Sequence, residues 1–117
     1  MHHDPNNIFA KILRGEIPCK KISEDSYYCA FFDVHPKATV HALIIPTGNY
    51  SSFLDFTENA TNDEIIGFYK GVASVAAELG LQENGFRLIS NCGPDGGQEV
   101  PHFHIHILGG EKLGRLR

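Results

Sequence analysis

Basic clusters, long apolar runs and paired cysteines are all missing from this 117-residue chain, and each absence removes a class of function. The longest cationic stretch is Lys20-Lys21, within a net charge of -4 at pH 7, so there is no basic footprint for a polymeric nucleic acid. No apolar run approaches the ~18 residues that a membrane-spanning helix requires. Cys19, Cys29 and Cys92 include no CxxC pair, and no cationic segment followed by an apolar one opens the chain. The expectation is a reduced, cytoplasmic protein with no membrane partner. Repeats, low-complexity tracts and linker-like shifts of composition are also absent, which leaves a single domain over residues 1–117. A domain of this size has modest stability unless a partner covers part of its surface, and an obligate dimer would supply that cover. His2 and His3 precede the patterned part of the chain and are expected to be disordered surface residues.

What is present reads as alternating short elements. Asn6 or Asn7 caps a short helix in which Ile8, Phe9, Ile12 and Leu13 recur at helical spacing, until Gly15 and Pro18 stop it. Residues 20–24, 27–34 and 40–45 read as three strands of an antiparallel meander, with a turn at Asp25-Ser26 and ends at His35-Pro36 and Pro46. Thr61-Asn62-Asp63-Glu64 is a capping box opening a long helix. Ile65, Tyr69, Val72, Ala76 and Leu79 form its expected core stripe, and Gly80 its C-terminal cap. Residues 86–90 and 102–108 complete five strands. The fold expected is α+β, a five-stranded antiparallel sheet with one long and one short helix.

The chemistry lies in the last strand, His102-Phe103-His104-Ile105-His106-Ile107-Leu108. Strand side chains alternate between faces, so the three histidines share one face and Phe103, Ile105 and Ile107 the other. The preceding loop, from Asn91 to Pro101, is rich in glycine and offers backbone amides to an anionic phosphate. A zinc site is one competing reading, since two histidines at i and i+2 are half of a ligand set, and His41 or His35 could add a third. No cysteine pair or acidic cluster in the sequence completes a tetrahedral set, and His102 and His106 lie about 13 Å apart along a strand. Half-buried polar residues on a sheet face are another reading, suited to one histidine better than to three in strict alternation. The remaining reading is nucleophilic catalysis. A neutral imidazole can attack phosphorus if its other nitrogen is held as a donor and flanking donors face the developing charge. The central His104 is then the nucleophile, with His102 and His106 as its orienting and charge-stabilising neighbours.

The His-x-His-x-His run resembles the signature of the histidine triad superfamily, and Gly96-Gly97-Gln98-Glu99-Val100 resembles its nucleotide-binding branch. Segments 8–12, 30–36, 41–46 and 85–91 resemble that branch in the same order, so the likeness covers nearly the whole chain. The resemblance implies a purine nucleoside phosphoramidase, a homodimer with a ten-stranded sheet that hydrolyses the P–N bond of adenosine phosphoramidates and also aminoacyl-adenylates. It implies a nucleotidyl intermediate on His104, His102 holding His104 through its backbone, His106 on the α-phosphate, and His41 supporting the site from a neighbouring strand. It assigns Asp33 to the ribose hydroxyls and Ile8, Phe9, Ile12, Phe31, Val34 and Leu43 to an apolar slot for the base. Asn91, Gly97, Gln98, Glu99 and Val100 would border the phosphate and leaving group. No metal or other cofactor is implied.

Two departures from the family pattern bear on the reaction. Glu99 stands where some relatives have serine or threonine, and a carboxylate beside a phosphate repels it unless protonated or turned toward the amine being expelled. The expectation is a proton donor to that amine. The segment after Gly110 is also shorter than in longer-tailed relatives, which bears on the choice of amine. Competing functions are a dinucleoside polyphosphate hydrolase, distinguished by relative rates on the two substrate types, and a nucleotide-binding regulatory module with incidental catalysis, whose effect would survive His104→Ala.

Overall fold

The computed structural model describes residues 2–116. Its strands run β1 (Lys21–Glu24), β2 (Tyr28–Phe32), β3 (Val40–Pro46), β4 (Phe86–Ile89) and β5 (Ile105–Gly109), and its helices α1 (Ile8–Leu13), α2 (Phe53–Asn59) and α3 (Asn62–Glu78). The strands form one antiparallel sheet in the order β1-β2-β3-β5-β4. The expected meander is the first half of that order. The chain then makes its helical excursion and returns to place β5 against β3, with β4 at the edge.

Sheet alternation divides the interior in two. On one face Ala30, Ala42, Ile44, Ile105 and Ile107 pack with Phe56 of α2, Phe68, Val72 and Val75 of α3, and Phe103. On the other, Phe9 of α1 covers Cys29, Phe31, Leu43 and Ile45. Every residue of β3 after Val40 is buried, as a central strand covered on both faces must be.

Local chemistry sets the helix ends. The Asn7 side chain accepts from the Ala10 amide to start α1, so Asn7 is the cap rather than Asn6. The capping box of α3 is formed, with Thr61 Oγ1 accepting from the Glu64 amide and Glu64 accepting from the Thr61 amide. At the other end Gly80 has φ +74°, and the Gly80 and Leu81 amides donate to the Ala77 and Ala76 carbonyls, a Schellman ending.

Several expectations need correction. A third helix, α2, lies in a stretch that carried no expected element; Ser52 caps it by accepting from the Asp55 amide. The core stripe of α3 is centred on Phe68, Val72 and Val75, whereas Tyr69 is exposed and Ile65 and Leu79 flank the core. Strand β2 stops at Phe32, because Asp33 turns the chain by accepting from the His35 amide. Strand β5 starts at Ile105, not His102. The His102 amide turns back to the Val100 carbonyl and the Phe103 amide donates to Tyr50, so neither joins the ladder with β3. No described helix is long and apolar enough to cross a membrane.

Candidate active site

Although the ladder begins late, the alternation of the histidine segment persists through it. Phe103, Ile105 and Ile107 are buried beneath α2 and α3, and the imidazoles of His104 and His106 lie side by side on the opposite face, their centroids 5.1 Å apart. Leu43 and His106 are register partners, which puts β3 and β5 directly behind the site.

The hydrogen bonds fix the tautomers. His104 Nδ1 lies 2.7 Å from the His102 carbonyl oxygen, which can only accept, so Nδ1 carries the proton and Nε2 keeps its lone pair. In His41 the assignment is reversed. The Lys37 amide donates to His41 Nδ1 at 2.9 Å, so the proton sits on Nε2, which donates to His106 Nδ1 at 2.9 Å. His106 must then carry its own proton on Nε2. Two neighbouring rings are thus polarised oppositely, His104 with a lone pair at Nε2 and His106 with a donor there.

Burial keeps these rings uncharged. It pushes His104 below the usual imidazole value against the opposing pulls of the His102 carbonyl and Asp33. Burial likewise takes His106 down to about 4, assisted by His104 and His41. His41 is also lowered by burial, with Asp33 opposing, so its 3.4 Å approach to Asp33 is an N–H to carboxylate contact rather than an ion pair.

A cavity of about 500 Å³ opens on this face, within the size range of small-molecule sites. His104 and His106 line it with Asp33, and Ile8, Phe9, Ile12, Phe31, Val34 and Leu43 form an apolar wall. Asn91, Gly97, Glu99 and Val100 form the loop side. Sequence reasoning missed Ile17, Pro18, Cys19, Phe32 and His35, which also line it. They sit in turns and strand ends, where no periodicity marks them.

Three expected site residues lie outside the lining. His41 stands behind His106, within the sheet. Gln98 is buried behind the glycine loop, where its side-chain amide donates to the Ser51 and Val100 carbonyls while Oε1 accepts from the Gly93 amide. It braces the loop. His102 is fully buried, held down to about 4 first by burial and then by His3 and His104, and its Nε2 faces the Pro46 carbonyl without a well-formed hydrogen bond.

The expectation of a disordered His3 is also corrected. Its Nε2 lies 3.1 Å from His102 Nδ1, and the Asn7 side-chain amide approaches the same nitrogen at 3.3 Å. The glycine loop, in turn, is less open than its composition suggests. The Gly97 and Gln98 amides donate to Pro94 and Gly93, and the left-handed Gly97, φ +76°, closes that turn. Among the described residues the amides of Asn91, Glu99 and Val100, all on the cavity lining, have no protein acceptor, so they are loop donors available to an anion.

Asp33, His41 and His106 could hold a metal on distance alone, since one ligand atom of each lies within 4.8 Å of the others. The tautomers oppose it. The Lys37 amide occupies His41 Nδ1 and keeps a proton on Nε2, the nitrogen that faces the cluster, so that nitrogen has no lone pair to give.

Comparison with known proteins agrees with this geometry. The HIT domain family model matches residues 14–113. An uncharacterized 13.2 kDa HIT-like protein of Azospirillum brasilense is 52% identical over 114 residues, covering 97% of this chain and 93% of its own. The purine nucleoside phosphoramidase of Escherichia coli K12 is 42% identical over 110 residues, covering 93% and 91%. A histidine triad protein from Clostridium difficile superposes with a TM-score of 0.85 at 43% identity, covering 94% and 95%. The chain therefore belongs to the HIT domain family and carries the histidine triad of a HIT-fold hydrolase.

Proposed function

We propose that the protein hydrolyses the P–N bond of purine nucleoside 5′-phosphoramidates, releasing a nucleoside monophosphate and an amine. The observation that carries this reading is the His104 ring. Its Nδ1–H is tied to the His102 carbonyl at 2.7 Å, and its unprotonated Nε2 belongs to a ring lining the cavity. The phosphoramidase activity named for the 42% identical Escherichia coli protein supports the same reading.

In this mechanism His104 Nε2 attacks the α-phosphorus, a P–N bond to histidine forms, and the bond to the amine breaks with its electron pair leaving on the amine nitrogen. That nitrogen gains its proton from solvent in the open half of the cavity. Water then attacks phosphorus and the histidine bond breaks, restoring the free ring. His106 Nε2–H and the Glu99 and Val100 amides are the donors for the nonbridging oxygens, and none of them must lose a proton to act. Asp33 takes the ribose hydroxyls, since an ionised carboxylate can accept two donors, and the apolar wall takes the purine. His102 and Gln98 act as positioning residues. The functional unit is a homodimer with a sheet continued across β4, supported by the exposed Phe86 and Leu88 on that edge strand.

His104→Ala should lower turnover of an adenosine phosphoramidate by ~10³-fold or more while leaving the affinity for AMP within a few-fold. Mass spectrometry of the quenched wild-type enzyme should find a nucleotidylated peptide containing His104. Substantial turnover by the alanine variant would remove the mechanism.

A further inference from the structure

The charge inventory of the cavity is unusual for a site that receives a phosphate. Its ionisable lining includes two carboxylates, Asp33 and Glu99, and among the described residues no lysine or arginine. Burial holds its catalytic imidazoles in the neutral form. The anion-facing donors are thus uncharged N–H groups, and the fixed charge of the wall is negative. A nucleotide entering this cavity meets dipoles that suit its phosphate and a field that does not.

The two carboxylates are not equivalent. Asp33 is engaged within the fold, with Oδ1 accepting from the His35 amide and Oδ2 beside His41 Nε2, and its remaining lone pairs are those assigned to the ribose. Glu99 is exposed at the cavity wall, and among the described residues no cation pairs with it. It follows the glycine loop directly, between Gln98 and Val100, and lines the same cavity as Gly97, Val100 and His104. The apolar wall for the base is supplied by other elements, α1 and the β2–β3 pair. A carboxylate placed with the loop therefore meets whatever is attached beyond the phosphorus.

Resting on the phosphoramidase reading, we infer that Glu99 is a specificity-determining residue that selects substrates whose leaving amine carries a second, positively charged amino group. Such a substrate is a zwitterion. Its phosphate is met by neutral donors and its ammonium by Glu99, so the repulsion between carboxylate and phosphate is offset by the substrate itself. A leaving group without that charge leaves the carboxylate uncompensated beside the phosphate. This assigns Glu99 a role as a charge, where its residue type alone suggested an acid.

The test compares two adenosine 5′-phosphoramidates of matched length, one made with 1,5-diaminopentane and one with hexylamine, in which an ammonium replaces a methyl group. The wild-type kcat/KM should favour the ammonium compound about three- to fivefold at low salt, the range of an exposed charge pair, with the preference shrinking at high salt. Glu99→Gln should bring the ratio close to one, and Glu99→Lys should reverse it. An equal ratio in wild type and Glu99→Gln overturns the inference, as does a wild-type preference for the alkyl compound. Competition of the two compounds against labelled AMP on His104→Ala reads the same preference without chemistry. Preference in binding with no wild-type turnover of either compound would remove the phosphoramidase reading while keeping the charge selection.

Discussion

At the scale of single residues the site works by withholding charge. Protonation of His104 would fill the lone pair that attacks phosphorus, and burial sets its titration below the usual imidazole value of about 6.5. The acid limb of the kcat/KM profile should accordingly have its midpoint below about 6.5, and a midpoint above it would contradict a buried nucleophile. Stability has the same sign. His102 and His106 titrate at about 4 in the folded chain, so from about 6.5 down to about 4 the unfolded chain binds protons that the folded chain does not. The contribution of neutral burial is complete above that window and is lost as pH falls through it. A thermal melt at about pH 5 should therefore show a lower Tm than one at about pH 7. Much of this was legible in sequence: three histidines at alternate positions after a glycine loop suffice to nominate His104. The groups that hold His102 and His41 in place were not, because they arrive from outside the motif. His3 reaches His102 across 99 positions, and Lys37 orients His41 through a backbone amide that no side-chain motif reveals. Gln98 reads from sequence as a substrate contact because residue type and proximity in sequence do not show which way a side chain turns, whereas His102 holds His104 through its backbone carbonyl as the resemblance implies.

At the scale of elements, α3 lies unusually close to the sheet, and two glycines allow it. A Cβ built on Gly71 would come within 2.4 Å of the Tyr28 ring, and one on Gly67 within 2.4 Å of the Tyr27 ring. In an isolated helix glycine is about 1 kcal/mol worse than alanine, so alanine here would gain from propensity. At Gly71 overpacking wins. Tyr28 is buried and its hydroxyl is hydrogen-bonded to Ser23, so the ring has nowhere to go, and Gly71→Ala should cost a net ~1–3 kcal/mol in chemical denaturation. Tyr27 is only partly buried and can swing outward, so Gly67→Ala should cost less. Equal effects at the two positions would show that propensity rather than the rings sets the outcome. The same contacts explain where sequence periodicity went astray. Tyr69 and Phe68 both fit a helical stripe, but the narrow approach at Gly67 and Gly71 rotates Phe68 and Val75 inward and leaves Tyr69 partly in solvent. Helix α2 escaped notice although Ser52 and Asp55 carry a capping spacing, because it has only 7 residues and a single fully buried one, Phe56. The long helix and all five strands were legible, since caps, turn residues and alternation are local signals.

At the scale of the whole molecule the sheet has an unfinished edge. Leu88 pairs with Ile107 and so projects from the helix-bearing face, as does Phe86 two residues earlier, yet α3 lies over β2 and β3 and leaves β4 uncovered. Both side chains are more than 40% exposed, so the uncovered strand presents an apolar strip. Free strand edges invite pairing, and charge or proline usually blunts them; Phe86-Arg87-Leu88-Ile89 has a single charge and no proline. A second copy, related by a two-fold axis, would meet that strip with an identical one and pair β4 with β4, completing ten strands. Burial against such a partner would also offset the modest stability of so small a domain. The consequence is that stability should depend on concentration, the Tm rising with protein concentration as mass action requires. Leu88→Glu places a carboxylate where two copies would juxtapose it, so sedimentation equilibrium should shift from the dimer mass to the monomer mass and the concentration dependence of Tm should vanish. A wild-type chain that sediments as a monomer at micromolar concentration would leave β4 an exposed edge and remove the ten-stranded assembly. The site gives the assembly a second readout: a single chain already supplies His104, His106, Asp33 and the apolar wall of the cavity, so a monomeric Leu88→Glu variant should still bind AMP, and any fall in turnover would measure what a partner adds to the leaving-group side.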